Sequence, residues 1–406
     1  MIFTNIHGRR DLSILRMYRQ SQSSRPPGIF SAKLVNIVAA IFFLLSSYAS
    51  LAQAPQSKPI SLESFGLHIH RIDQGTPWPG VPFGSWRLWD AYVVWPNLEP
   101  VAGKWDFSRL DKYVAMAEKR GVSILLPLGL SPGWASARPT EPSNYKPGNA
   151  AEPRDLEMWR NYVRTVASRY KGRIRTYEIW NEPNIPQFFS GNVEMLVKLT
   201  QIAREELKKV DPNIQLVSPS MSTGAKNHLD YFDKFLARGG AALVDVIGYH
   251  MYVQDQAPEA LVPLIQKIKI LMKKNGVASL PLWNTEIGWW LENDDGTSAS
   301  QMVTKGGWRK LEQRNEAGEF LHRTFLLSFS LGVGRVYWYA WDNTDLGLIE
   351  PTTKKLKPAG ERWPSIVDSL LGATQLKCMQ DSNNWRCSYV RSDGTKDEVS
   401  WKVDAP

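Results

Sequence analysis

The sequence predicts an α/β protein, a (β/α)8 TIM barrel carrying a small C-terminal antiparallel β appendage. Three observations lead there. Eight short apolar runs recur from residue 60 onward, most of them separated by stretches with helical periodicity. The runs are continuous rather than alternating, as strands covered on both faces require. The alternating region is about 310 residues long, within the range of such barrels. A doubly wound open sheet is the alternative, but no Gly-x-Gly-x-x-Gly follows the first run.

In chain order the runs are "SFGLHIH" (64–70), "WRLWDAYV" (86–93), "VSILLPLGL" (122–130) and "RTYEIWN" (175–181), then "IQLVSPS" (214–220), "VDVIGYHMY" (244–252), "LPLWNTEIGW" (280–289) and "RVYWYAW" (335–341). Five stretches between them read as helices. "FSRLDKYVAMAEKRG" opens on Ser108 as candidate cap and stops at Gly121. "DLEMWRNYVRTVASRYKG" stops at Gly172. "NVEMLVKLTQIAREELKKVDPN" begins at Asn192, with Glu194 in its first turn and Lys208 and Lys209 in its last. "APEALVPLIQKIKILMKKNG" and "EAGEFLHRTFLLSFSLG" follow the same grammar. Residues 71–85 are rich in Pro and Gly without helical period, so no helix is expected there. From 373 to 406 the pattern turns to alternation around "DSNN" and "SDGTKD", which predicts three antiparallel strands. A segment that short holds no core of its own and has to pack on the barrel, which takes residues 55–372.

Residues 1–54 read as a leader. Arg9, Arg10, Arg16, Arg19, Arg25 and Lys33 precede "LVNIVAAIFFLLSSYASLAQA", the charged, apolar and small-residue order of a secretory signal. Cleavage after Ala54 would place Pro55 next, so Ala49 and Ala52 compete, and Met17 is an alternative start. An uncleaved membrane anchor is the other reading, although the apolar core is shorter than the ~20 residues of a span. Export would make the product secreted or periplasmic. The whole chain has net charge +9, but six basic residues and one acidic residue lie before residue 55, so the remainder carries only +4. With no basic run, a nucleic-acid partner is not expected. No protein partner is evident, and a monomer is expected. Cys378 and Cys387 are the only cysteines, nine residues apart, and after export a disulfide between neighbouring strands fits them. With so few cysteines and six histidines there is no zinc spacing, and neither metal nor cofactor is expected. Tryptophan is over-represented, with 17 residues; most are expected in the core, but the excess raises the prospect of stacking platforms.

Barrels of this kind carry their chemistry at the C-terminal ends of the strands. Two ends carry glutamate, Glu182 in "YEIWNEPN" and Glu286 in "LWNTEIGWW", on the fourth and seventh runs. Two carboxyl groups facing one another suit glycosidic cleavage, one giving a proton to the departing oxygen and one ionised to attack or to activate water. Either glutamate alone could be a salt-bridge partner or neighbour a helix start, and Pro183 suits a first helical position. Glu178, on the fourth strand, needs a nearby Arg or Lys. Asp90, Asp106 and Asp111 read as turn, cap and helix-surface residues.

"YEIWNEPN" and "LWNTEIGWW" resemble the strand-four and strand-seven motifs of the retaining glycoside hydrolases of clan A. Together with "WPNLEPVAGKWDFSRLDKYVAMAEKRGVSILLPLGLSPGWAS" (95–136), the chain is most similar to family 39, which includes β-xylosidases, α-iduronidases and exopolysaccharide hydrolases. The likeness covers most of 60–345. It implies a hydrolase of β-glycosidic bonds in a polysaccharide or oligosaccharide, which the leader would export. Glu182 would be the acid/base, Glu286 the nucleophile, and their carboxyl groups ~5 Å apart. By the same resemblance Asn181 would bind the sugar 2-hydroxyl and Arg87 would hold the nucleophile ionised. His250 and Tyr252 match the strand-six motif, His68 a strand-one histidine, and Trp341 the platform under the sugar. Trp134 and Trp289 are further stacking candidates, or core. Many relatives carry a full β-sandwich where this chain has three strands. A carbohydrate-binding barrel without catalysis, and a transglycosylase on the same residues, are the rival readings.

Overall fold

The computed structural model describes residues 58–403, apart from residue 254, residues 307–308 and residues 313–315. The expected leader, 1–54, lies outside the described residues.

Nine parallel strands form one sheet: β1 (Phe65–His68), β2 (Ser85–Arg87), β3 (Ser123–Leu128), β4 (Thr176–Ile179), β5 (Gln215–Val217), β6 (Met221–Ser222), β7 (Ile247–His250), β8 (Leu282–Ile287) and β9 (Val333–Trp338). Their order is β5-β4-β3-β2-β1-β9-β8-β7-β6. The expected fifth run is therefore two strands, which stand at the two ends of the order although they are consecutive in the chain. The break is Ser218-Pro219-Ser220, where proline removes a ladder donor. Around it, isolated parallel bridges join Val217 to Val246 and Asn181 to Ser220, and the Ser218 amide donates to the Val246 carbonyl at 2.9 Å.

Helices follow the strands: α1 (Ser108–Glu118), α2 (Leu156–Arg169), α3 (Val193–Val210), α4 (His228–Ala237), α5 (Leu261–Lys274), α6 (Gly318–Ser330) and α7 (Trp363–Leu370). Their apolar stripes are buried: Leu110, Tyr113, Val114 and Ala117 on α1, and Trp159, Tyr162, Val163, Val166 and Ala167 on α2. Asn192 caps α3, its side chain accepting from the Met195 amide. Ser108 does not cap α1. It is the first helical residue, and the Asp106 carboxylate takes both its amide (3.0 Å) and its hydroxyl (2.6 Å). The segment 71–85 holds a single 3-10 turn, Ile72–Gln74. Helices α4 and α7 were not expected. Each has only ten residues or fewer, too few turns for a periodic signal to stand clear of its surroundings.

Inside the curve of the sheet, Leu125, Val217, Val246, Trp283 and Tyr337 pack as a separate apolar cluster. Gly66 leaves room for it, because a Cβ there would collide with the Tyr337 ring. The larger core lies between sheet and helices and takes up much of the tryptophan, as in Trp95 stacked on Tyr162 at 4.8 Å.

The tail is a three-stranded antiparallel sheet, β10 (Thr374–Asp381), β11 (Asn384–Val390) and β12 (Lys396–Lys402). Cys378 and Cys387 stand opposite each other in the β10–β11 register and form a disulfide. Leu376, Cys387 and Tyr389 join the main core. The Trp401 indole donates to Glu259 at 2.6 Å, and Ile60 exchanges backbone bonds with Gly372 and Ala373.

Candidate active site

Glu182 and Glu286 approach each other from β4 and β8. The chain leaves β4 through two left-handed residues, Trp180 (φ 55°) and Glu182 (φ 48°), a backbone region few non-glycine residues enter. Strict alternation would have put Glu178, Trp180 and Glu182 on one face. Instead the Trp180 ring packs outward against Phe189 at 4.8 Å, its indole donating to the Phe188 carbonyl, while Glu178 and Glu182 face the interior. Asn184 locks the turn. It accepts from the Ser222 amide and donates to the Ser222 carbonyl, both at 2.8 Å, and the Glu182 amide bonds to the Ser220 carbonyl at 3.1 Å. A strand end that finishes on Trp-Asn-Glu-Pro is therefore a device for aiming a carboxylate, pinned to the neighbouring strand and not to a following helix.

Glu182 and Glu286 are 8% and 7% exposed. A carboxylate oxygen of each and a ring nitrogen of His250 lie within 4.8 Å of one another. Arg87, fully buried at the end of β2, organises the floor. Its Nη1 donates to Glu286 Oε2 (2.9 Å), Nη2 to Asn181 Oδ1 (2.9 Å) and Nε to Glu178 Oε2 (2.6 Å). Glu178 also accepts from the Ser220 hydroxyl, which in turn meets Thr285 Oγ1 at 2.7 Å. Burial alone would lower the Arg87 pKa, but Glu178 and Glu286 outweigh it and leave it raised. The guanidinium therefore stays charged.

The Tyr252 hydroxyl donates to Glu286 Oε1 at 2.9 Å, so both Glu286 oxygens have donors. Nδ1 of His250 lies 3.0 Å from Glu182 Oε1 and 3.7 Å from Glu286 Oε2. Burial lowers the His250 pKa to about 4, which keeps the ring neutral. Burial raises both glutamates to about 7, with Arg87 pulling each back. Two buried carboxyls this close cannot both ionise cheaply. The two differ in their contacts: Glu286 holds the guanidinium and the phenol, Glu182 the neutral imidazole and the Ser222 hydroxyl. The charged guanidinium makes Glu286 the better placed of the two to carry a negative charge.

Of the residues expected at the site, Glu182, Glu286, Asn181, Arg87, His250 and Tyr252 form this one cluster. His68 lies beneath it, wholly buried, with Nε2 3.0 Å from the Thr285 carbonyl. Trp341 and Trp289 are each 3% exposed. Their indoles donate to the Pro77 and Gln256 carbonyls, and Trp289 stacks on Trp338 at 5.9 Å. Trp134, half-buried, donates to the Glu99 carbonyl and lies edge-on to Trp95. All three engage the body of the protein through their polar edge. Glu178, Ser220, Thr285 and Asn184 were not on the expected list. The only sequence signal for Glu178 was a carboxylate inside an apolar strand.

Residues 88–299, just over half of the chain, match the family described as Glycosyl hydrolases family 39. The chain is 25% identical over 206 residues to a β-xylosidase of Geobacillus stearothermophilus, covering 45% of this chain and 40% of that protein. It is 27% identical over 185 residues to a β-xylosidase of Caldicellulosiruptor saccharolyticus, covering 44% and 37%. The match thus spans less than half the length of these two relatives. Among solved structures, a family 39 glycoside hydrolase from Bacteroides cellulosilyticus superposes with TM-score 0.63 at 20% identity, over 86% of this chain and 71% of that one. A monomeric β-xylosidase from Caulobacter crescentus gives 0.62 at 16% identity, over 82% and 75%. These likenesses show a shared fold. The family match establishes that the chain belongs to glycosyl hydrolase family 39.

Proposed function

We propose that this protein cleaves β-glycosidic bonds of an oligosaccharide or polysaccharide by double displacement, with Glu286 as nucleophile and Glu182 as acid/base. The observation that carries the proposal is the pair itself: oxygens within 4.8 Å, close to the ~5 Å of retaining enzymes and short of the ~6.5 Å or more that an inverting enzyme needs for its water. In the first step a Glu286 oxygen bonds to the anomeric carbon. The bond from that carbon to the leaving oxygen breaks, and the Glu182 proton passes to that oxygen. In the second, Glu182, now ionised, takes a proton from water whose oxygen attacks the same carbon, and Glu286 leaves as a carboxylate. Arg87 and Tyr252 hold Glu286 ionised for attack, and the Arg87 bond to Asn181 Oδ1 turns the amide N–H toward a substrate hydroxyl.

In this reading β5 and β6 act together as one interrupted fifth strand of a (β/α)8 barrel, and the site is its C-terminal mouth. The leader-like residues before 55 support export, to a secreted or periplasmic location. The matched β-xylosidases make xylosides the first substrates to try, before glucans and bacterial exopolysaccharides.

Glu286→Ala should abolish turnover. Glu182→Ala should lose about 10²-fold or more on substrates with poor leaving groups and far less on activated aryl glycosides, whose departing oxygen needs no proton. Steady-state rates on the two classes decide it, and equal losses would overturn the assignment of roles.

A further inference from the structure

A third carboxylate stands at this mouth, and the two displacement steps do not use it. Asp90 follows Arg87 by three residues and is held in the left-handed region, φ 55°. Each of its oxygens takes a phenol: Tyr145 donates to Oδ1 at 2.8 Å and Tyr339 to Oδ2 at 2.7 Å. A turn residue spends its oxygens on neighbouring backbone amides. Asp90 spends them on side chains brought from distant parts of the chain. Tyr145 comes from the long loop after β3 and lies edge-on to Trp89 at 5.8 Å and against Phe188 at 5.9 Å. Tyr339 follows β9 and packs against His68 at 5.0 Å and His70 at 4.9 Å. The next residue but one after Glu286 has to be glycine for this, since a Cβ on Gly288 would collide with the Tyr339 carbonyl.

The group is in electrostatic touch with the glutamates. After burial, the Asp90 charge adds to the upward push on the carboxyls of both Glu182 and Glu286. The Tyr339 hydroxyl, raised by burial and Asp90, is raised further by Glu286. Asp90 is only half-buried, so it can be reached. An ionised carboxylate accepts about two bonds per oxygen, and the phenols use one on each. What remains is a set of acceptors anchored from two sides, which complements the hydroxyl donors of a sugar ring.

We propose that Asp90, held between Tyr145 and Tyr339, is a specificity-determining residue that accepts hydrogen bonds from ring hydroxyls of the sugar seated against Glu182 and Glu286. This rests on the assignment of that pair to the reaction. With the glutamates at C1 and Asn181 at the 2-hydroxyl, the hydroxyls left for Asp90 are those on C3 and C4. A site built to pair with a hydroxyl rejects the analogue lacking it.

The test compares the aryl β-glycoside that the enzyme cleaves best with its 3-deoxy and 4-deoxy analogues. The wild type should lose about tenfold or more in kcat/KM on at least one analogue. Asp90→Asn should lose a similar factor on the parent and almost nothing further on that analogue, so that the discrimination collapses. Tyr145→Phe, which leaves the carboxylate in place, should weaken the same discrimination less. Equal loss by Asp90→Asn on parent and analogues, with the discrimination intact, would overturn the proposal and reduce Asp90 to scaffolding. Failure of the underlying assignment shows separately, as turnover that survives Glu286→Ala.

Discussion

At the scale of single residues, the proposed chemistry depends on placing one proton on two near-equal acids. Glu182 and Glu286 are both pushed up to about 7 by burial, and only their partners distinguish them. The stability consequence has a definite sign. A carboxyl raised above its unfolded value favours the folded state below that value, and this contribution disappears as pH rises through about 7. Glu182→Gln, which mimics the protonated form, should therefore be more stable than the wild type at pH 8, by a few kcal/mol. At pH 4, below the unfolded value, the two should agree to within about 0.5 kcal/mol. Thermal melts at the two pH values check it, and a gain that is the same at both would mean that burial is not what holds the proton. Asn181 and Glu182 were legible because they end an apolar run beside tryptophan. Glu178 and Asn184 were not, because nothing local reveals that one holds Arg87 and the other pins Ser222.

At the scale of elements, the site is built from the ends of strands that pair across long sequence distances. Arg87 on β2 ties Glu178 and Asn181 of the β4 segment to Glu286 of β8, so a change in any of them is felt by the others. Glu178→Gln removes a buried partner from a buried guanidinium. A loss of about 3–5 kcal/mol is expected, read as a shift in denaturation midpoint. It should also free the full charge of Arg87 for Glu286, lowering the nucleophile's pKa and moving the acid limb of kcat/KM to lower pH. A stability loss with an unmoved acid limb would make Glu178 a packing residue only. All eight apolar runs became strands, because continuous β-branched and aromatic stretches have few other uses. The split of the fifth at Pro219, and the helices α4 and α7, were missed because each is a small departure inside a short segment.

At the scale of the whole molecule, the glutamate pair sits on the parallel sheet while the tail contributes to the core from outside. The disulfide closes a short loop, for which chain entropy gives about 2–3 kcal/mol. The double substitution Cys378→Ser with Cys387→Ser should accordingly loosen β10–β12, seen as faster hydrogen exchange across 374–402, and leave kcat/KM unchanged. A parallel fall in activity would show that the tail supports the cleft. Alternation of strand and helix, the two glutamate-bearing strand ends and the cysteine pair could be read from the order of residues, since each is a pattern in a short window governed by backbone geometry and side-chain type. Which tryptophans are core and which acid keeps the proton could not be. Nor could the meeting of Asp90, Tyr145 and Tyr339. These depend on burial and on charges supplied by remote segments, and such quantities come into being only when the chain has closed on itself.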